Sequence, residues 1–78
     1  MKYRKNYGSA NIVGINIFNI RKAKNISQKT FVVFLQENGL NINPSSYSKL
    51  EGQTRIATDK EIYAIAKILN VKLEDLFE

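Results

Sequence analysis

Helix-start signals recur at short, regular intervals in this chain, and the interval limits how long any element can be. Ser27, Asn43 and Thr58 each carry the side chain of an N-cap, and they stand fifteen or sixteen residues apart. Ser27 opens a stretch with Phe31 and Leu35 inward, and Gly39 follows as a left-handed stop. Asn43-Pro44 opens the next, because proline fits a first helical position where its missing N–H would be unpaired anyway. The short helix from about Pro44 to Glu51 buries Tyr47 and Leu50 and turns Ser45, Ser46, Ser48 and Lys49 outward. Thr58-Asp59-Lys60-Glu61 matches a capping box, and Ile62, Ile65, Ala66 and Leu69 then mark one face of a helix reaching Asn70. Ahead of these, Val13, Ile17 and Ile20 place a first helix up to about Lys24, with Arg21, Lys22 and Lys24 at the negative end of its dipole. A final turn, from about Lys72 to Phe77, offers Leu73, Leu76 and Phe77 to the core. No period-2 segment interrupts the series, so an all-α fold of five short helices is expected.

The chain has 78 residues, which makes one domain near the lower limit for a free-standing core. It has no cysteine and no histidine. A disulfide framework, a Cys/His zinc site, a cysteine nucleophile and a catalytic triad are therefore excluded, and neither a metal nor a cofactor is expected. The acids Asp59 and Asp75 have helix-start or surface explanations, and no nucleophile and base can be paired, so no enzyme is expected. No apolar run approaches the roughly 20 residues of a membrane span, and the basic start is not followed by a signal-peptide core. A soluble, cytoplasmic protein without a membrane or an evident small-molecule substrate is the expectation. Residues 1–10 show no apolar period and end near Gly8-Ser9, so we read them as a flexible basic arm before a domain spanning 11–78.

Charge is distributed unevenly. Residues 1–36 carry seven cations and no acid, whereas residues 37–78 carry five cations against seven acids. A one-signed surface of this kind concentrates a polyanion, and nucleic acid is the natural partner. The order of elements agrees with it: the second and third helices can form a helix-turn-helix, whose later helix enters the DNA major groove while the earlier one braces on the backbone.

On these residues the sequence resembles the Cro and lambda-repressor-like helix-turn-helix domain of the xenobiotic-response-element type. The resemblance runs through Val13-Gly14, Asn16-Ile17, Ile20-Arg21, Ser27-Gln28, Phe31, Leu35, Tyr47-Ser48-Lys49-Leu50-Glu51, Arg55, Thr58-Asp59, Ile62, Ile65-Ala66, Leu69-Asn70-Val71 and Leu76-Phe77, in unbroken order. Three departures stand out. The span from Gln28 to Glu51 is longer than usual by more than a helical turn, as though the second helix were extended and its turn widened. Gly52 comes one position early, which hands the left-handed conformation to Gln53. Lys72 stands where a Ser or Thr cap is expected, so the last helix is expected to fray.

Chemistry and the resemblance together assign roles. Gln28, at the start of the second helix, is placed to donate to a phosphate beside that helix's unpaired N–H groups. Asn43, Ser45, Ser46, Ser48 and Lys49 form the outward surface of the recognition helix, Lys49 suited to guanine and Asn43 to adenine. The serines are short, ambiguous readers, so specificity would lean on water and DNA shape. The resemblance places Arg55 at the phosphate backbone or the minor groove and implies a structural ion pair between Arg21 and Glu51. Ile15 and Phe18 point away from the first helix's core face and suggest an interaction patch, covered by Tyr3 or Tyr7 of the arm or by another chain.

The resulting expectation is a sequence-specific double-stranded DNA-binding transcription regulator, a repressor that occupies an operator, with a homodimer on an inverted repeat as the expected binding form. The resemblance implies a bacterial, phage or mobile-element origin, and the Asn, Ile and Lys content suggests an AT-rich genome. Two alternatives accompany it. One is an antitoxin that binds both operator and toxin. The other is a protein-interaction module that kept the fold, with Ile15, Phe18, Val33 and Phe34 as its contact face.

Overall fold

The computed structural model describes residues 8–78 and contains four α-helices and one 3-10 turn, with no strand among the described residues. The helices are α1 (Gly14–Ala23), α2 (Gln28–Glu37), α3 (Pro44–Glu51) and α4 (Asp59–Leu69), followed by the 3-10 turn Leu73–Leu76. The all-α class is as expected; the fifth helix is this single tight turn. It is braced by the Lys72 N–H, which donates to Asp75 Oδ2 at 3.0 Å, and by Asn16 Nδ2, which donates to the Leu76 carbonyl at 2.8 Å.

Each start signal does its expected work. Ser27 Oγ accepts from the Thr30 N–H, Asn43 Oδ1 from the Ser46 N–H, and Thr58 with Glu61 closes a reciprocal capping box. The stops share one design. After α1, α2, α3 and α4 the chain turns through a left-handed residue at Asn25 (φ 60°), Gly39 (φ 89°), Gln53 (φ 63°) and Asn70 (φ 58°) respectively. In every case the left-handed residue and its successor donate back into the last helical turn, as when Gly39 and Leu40 bond the carbonyls of Gln36 and Leu35. These paired bonds are the Schellman motif, which satisfies carbonyls that a helix end would otherwise strand. Gln53 takes the left-handed position in place of Gly52, as the early glycine implied.

The core is drawn from every element: Ile17 of α1, Phe31 and Leu35 of α2, Tyr47 and Leu50 of α3, Ile65 and Leu69 of α4, and Leu76 of the final turn are all essentially inaccessible. The rings of Phe31 and Tyr47 meet at a tilted 57° with centroids 5.5 Å apart, a favourable arrangement for their quadrupoles. Val32 and Ile42 are also buried. Ile42 anchors the long α2–α3 connection, residues 38–43, and Gln36 Nε2 donates to its carbonyl at 2.9 Å. Leu73 and Phe77 do not join the core. Both remain about half exposed: Leu73 shares Leu76's side of the 3-10 turn but sits at its open first position, and Phe77 lies just past the turn's end.

Candidate nucleic-acid interface

α3 packs on α1 and α2 and not on α4 or the final turn. Its inner face is Tyr47, Leu50 and Glu51; Pro44, Ser45, Ser48 and Lys49 are exposed, and Ser46 is half-buried at the edge. The outward surface thus offers two exposed hydroxyls and one ammonium, with no carboxylate, because the helix's only acid is turned inward. Asn43 is exposed at the helix start, but its Oδ1 is taken by the Ser46 N–H at 2.7 Å. Two-pronged recognition of adenine needs both ends of the amide, so the side chain offers chiefly its Nδ2 donor.

The inward acid is the hub that fixes α3. Arg21 of α1 grips Glu51 with two charge-assisted bonds, Nε to Oε2 at 2.8 Å and Nη2 to Oε1 at 2.9 Å, with both side chains almost fully buried. The Tyr47 hydroxyl donates to Oε2 at 2.6 Å and Gln28 Nε2 to Oε1 at 2.8 Å. The third arm of Arg21, Nη1, donates to the Ile26 carbonyl at 2.6 Å in the α1–α2 turn. One carboxylate therefore ties α1, α2 and α3 together. Burial pushes its pKa up, but the bonds from Arg21, Tyr47 and Gln28 outweigh burial and leave it below the ordinary glutamate value. The bond with Glu51 raises the Arg21 pKa, and burial raises that of Tyr47 well above the usual phenol range. The ion pair expected from the resemblance is present. Gln28, expected at a phosphate, has part of its amide drawn inward to the hub.

Arg55, expected at the phosphate backbone or minor groove, is bonded within the chain. Its Nε donates to the Ser46 carbonyl at 3.0 Å, Nη1 to the Ile56 carbonyl at 2.8 Å, and Nη1 and Nη2 grip Glu61 at 2.9 Å each. The guanidinium is a bolt joining α3, the loop after it and the first turn of α4. Glu61 is half-buried; burial raises its pKa, while Arg55 and the Thr58 N–H lower it more, for a net depression.

A further brace was not foreseen from the sequence. Asn11 Nδ2 donates to the carbonyls of Leu50 at 2.9 Å and Arg55 at 2.8 Å, while its Oδ1 accepts from the Gly14 N–H at 2.8 Å. The N–H groups of Gly8 and Ala10 donate to the carbonyls of Gly52 and Gln53, and Gln53 Nε2 donates to the Asn11 carbonyl. The end of α3 is thus held by residues 8–14. Gly14 makes the approach possible, since a Cβ there would lie 2.6 Å from the Glu51 carbonyl oxygen and 2.7 Å from that of Leu50. The available signal was an asparagine three residues before a helical glycine, which reads locally as a cap and says nothing of a partner 39 positions away. Part of the segment expected to be an arm is consequently attached; residues 1–7, with Tyr3 and Tyr7, lie outside the described residues.

Ile15 and Phe18 are half-buried, and the Arg21 guanidinium sits 5.6 Å from the Phe18 ring centroid. Lys22, Lys24 and Lys29 are exposed around the α1–α2 turn, beside the N-terminus of α2. Val33 and Phe34 stand partly exposed on α2. No described helix is long and apolar enough to cross a membrane, and the described residues contain no cluster of potential metal ligands.

Comparison with known proteins agrees with this geometry at the family level. No curated protein and no solved structure matches the chain. A family model described as the Cro/C1-type HTH DNA-binding domain matches residues 16–78, from within α1 through the final turn. By that match the chain belongs to the Cro/C1-type helix-turn-helix DNA-binding domain family.

Proposed function

We propose that the protein is a sequence-specific transcription regulator that reads double-stranded DNA through α3 and represses by occupying its operator as a homodimer on an inverted repeat. The observation that carries this reading is the acid-free outward face of α3, presented by a helix whose opposite face is bolted in place. A helix that reads bases must be held rigidly while offering donors and acceptors to the groove.

In this reading Ser45, Ser48 and Lys49 reach base edges, Lys49 toward guanine, and Asn43 contributes its Nδ2 donor. Ser46 lies at the margin of the contact. Gln28 keeps one amide hydrogen for a phosphate and uses the other on Glu51, so the group touching the DNA backbone is coupled to the hub that orients α3. Lys22, Lys24 and Lys29 supply sequence-independent attraction. Arg55 shapes the loop after α3 and serves DNA by position. Three of the five contact side chains on and before α3 are serines, so water and DNA deformability supply much of the discrimination. A cytoplasmic location, at the nucleoid when bound, follows from this role, and it requires no catalysis.

The test is selection of bound sequences from a randomised duplex pool at near-physiological salt, with Lys49→Ala alongside. An enriched inverted repeat whose preferred bases change with Lys49→Ala is the expected result. Weak binding without enrichment, vanishing as salt rises, would remove the base-reading role.

A further inference from the structure

The chain contains nine asparagines, and one of them has an unusual successor. Five precede isoleucine and three precede tyrosine, proline or valine, whereas Asn38 precedes Gly39. The side-chain carbonyl carbon of an asparagine is open to attack by the backbone nitrogen of the next residue. A bulky or β-branched successor crowds that nitrogen, proline has no N–H to give up, and glycine leaves it open. Asn38 and Gly39 are both exposed at the end of α2. A Cβ on Gly39 would meet nothing within 4 Å, so no packing shields the peptide between them.

The helix stop shields it instead. Asn38 is the C-cap of α2, with φ −95° and ψ 15°. Its Nδ2 donates to the Phe34 carbonyl at 3.0 Å, and the Gly39 N–H donates to the Gln36 carbonyl at 3.0 Å. Electrophile and nucleophile are thus each held against the last helical turn. Bonds of this kind, at an exposed helix end, open far more often than those of the core.

We propose that Asn38-Gly39 is a self-modification site, gated by opening of the α2 stop, that limits how long the chain can bind DNA. Once the stop opens, the Gly39 nitrogen gives its proton to solvent and bonds to Asn38 Cγ. The Cγ–Nδ2 bond breaks, and Nδ2 leaves as ammonia with a proton taken from solvent. Water then opens the resulting five-membered imide. Cleavage between the nitrogen and Cγ leaves aspartate; cleavage between the nitrogen and the Asn38 main-chain carbonyl carbon leaves isoaspartate, in which the chain runs through the former side chain. One water is consumed and one ammonia released, with no oxidant, reductant or cofactor.

Either product acts on the element that leads to α3. The new carboxylate stands beside Glu37 at the negative end of α2's dipole, with no basic residue in that last turn to offset it. It also has no hydrogen to donate to the Phe34 carbonyl. Isoaspartate adds a main-chain carbon to the connection 38–43, whose Leu40 bonds the Leu35 carbonyl and whose buried Ile42 is tied to Gln36. That connection decides where α3 begins. The consequence for binding rests on the DNA-reading role of α3, whereas the chemistry is independent of it.

Incubating the full chain in mildly alkaline buffer, with peptide mass spectrometry, ammonia release and isoaspartate detection as readouts, tests the chemistry. Conversion should occur at Asn38 and at no other asparagine. It should be slower than in guanidinium-unfolded chain by about tenfold or more, the factor set by an opening free energy of about 1.4 kcal/mol. Gly39→Asn keeps a residue that accepts the left-handed turn, with open space for its side chain, but crowds the nitrogen, and should slow conversion severalfold. Asn38→Asp should raise the unfolding equilibrium constant about two- to fivefold. Affinity for the duplex enriched by the selection above should fall as Asn38 converts, and should persist in Gly39→Asn over the same period. Conversion absent from the native chain, spread over other asparagines, or as fast in native as in unfolded chain would each overturn the proposal. Affinity unchanged by complete conversion would overturn the limit on DNA binding. Failure of DNA selection leaves the mass measurement standing, and failure of conversion leaves α3's reading untouched.

Discussion

The chain uses the same device twice, an arginine fork on a glutamate, in two different settings. At the Arg21–Glu51 pair both side chains are at most 5% exposed, and at Arg55–Glu61 the exposures are 23% and 13%. The first joins three helices through a fully engaged carboxylate; the second reinforces a capping box near the surface. A buried pair pays heavily in lost hydration, and its geometry is then strictly required, because breaking it strands a charge in the interior. A partly exposed pair loses less because water takes over when a partner leaves. Similar distances therefore imply different consequences, with the buried hub controlling how α3 is presented.

The largest expected effect comes from removing the hub. Glu51→Ala leaves the Arg21 guanidinium buried without its counter-charge and should destabilise the domain by about 3–5 kcal/mol, measured by urea or thermal unfolding. A paired Arg21→Met/Glu51→Leu replacement should recover most of that loss, since both charges leave together. If Glu51→Ala cost no more than a surface substitution, the hub would not be the structural centre inferred above.

Acid should weaken the hub next. Both Glu51 and Glu61 have folded-state pKa values below their ordinary value. Each therefore binds protons more readily when unfolded, so its contribution is present above the unfolded value of about 4.3 and is lost as pH falls through the depressed folded value. Stability should be flat from neutrality to about pH 5 and decline below it, with Glu51→Gln flattening more of that decline than Glu61→Gln. An equal effect from both would erase the distinction between the two settings.

The surface pair should yield less. Glu61→Ala removes the Arg55 grip and half of the capping box, an expected loss of about 1 kcal/mol. Smallest is Asn70→Gly, where relief of a left-handed asparagine should shift stability by only a few tenths of a kcal/mol in the stabilising direction. Melting curves of Glu51→Ala, Glu61→Ala and Asn70→Gly, each read against wild type, would rank the sites directly.

Much of the fold was readable because it depends on near neighbours. Ser27, Asn43-Pro44 and Thr58 with Glu61 cap the three helices assigned to them, since a cap's donor and acceptor lie within one turn of each other. Gly39 and Gln53 took the left-handed positions expected of them. Asn25 and Asn70 escaped notice because asparagine is common in many local settings, and only the reciprocal bonds reveal the stop. The candidate site was legible as a set of outward residues but not as a set of commitments. Asn43 was read as base reader as well as cap, and the cap holds its oxygen. Arg55 was placed at DNA by the resemblance, and its grip on Glu61 was hidden because Glu61 already had a local explanation in the capping box. Leu73 and Phe77 were assigned to the core by their apolar character alone, but they flank Leu76 at the start and just past the end of a single turn, where the core reaches only Leu76.

What the sequence determined by itself is therefore the local and periodic content: an all-helical chain, its start and stop points, the inward stripes, the basic half and the family resemblance. Tertiary structure decided which polar groups are already engaged. Glu51 was recognisable as a partner for Arg21, but its bonds to Tyr47 and Gln28, and Asn11's reach to Leu50 and Arg55, depend on distances between separate helices. Periodicity determines which side of a helix faces inward, whereas the pairing of buried donors and acceptors is settled only when the helices pack and each lost hydrogen bond to water must be replaced.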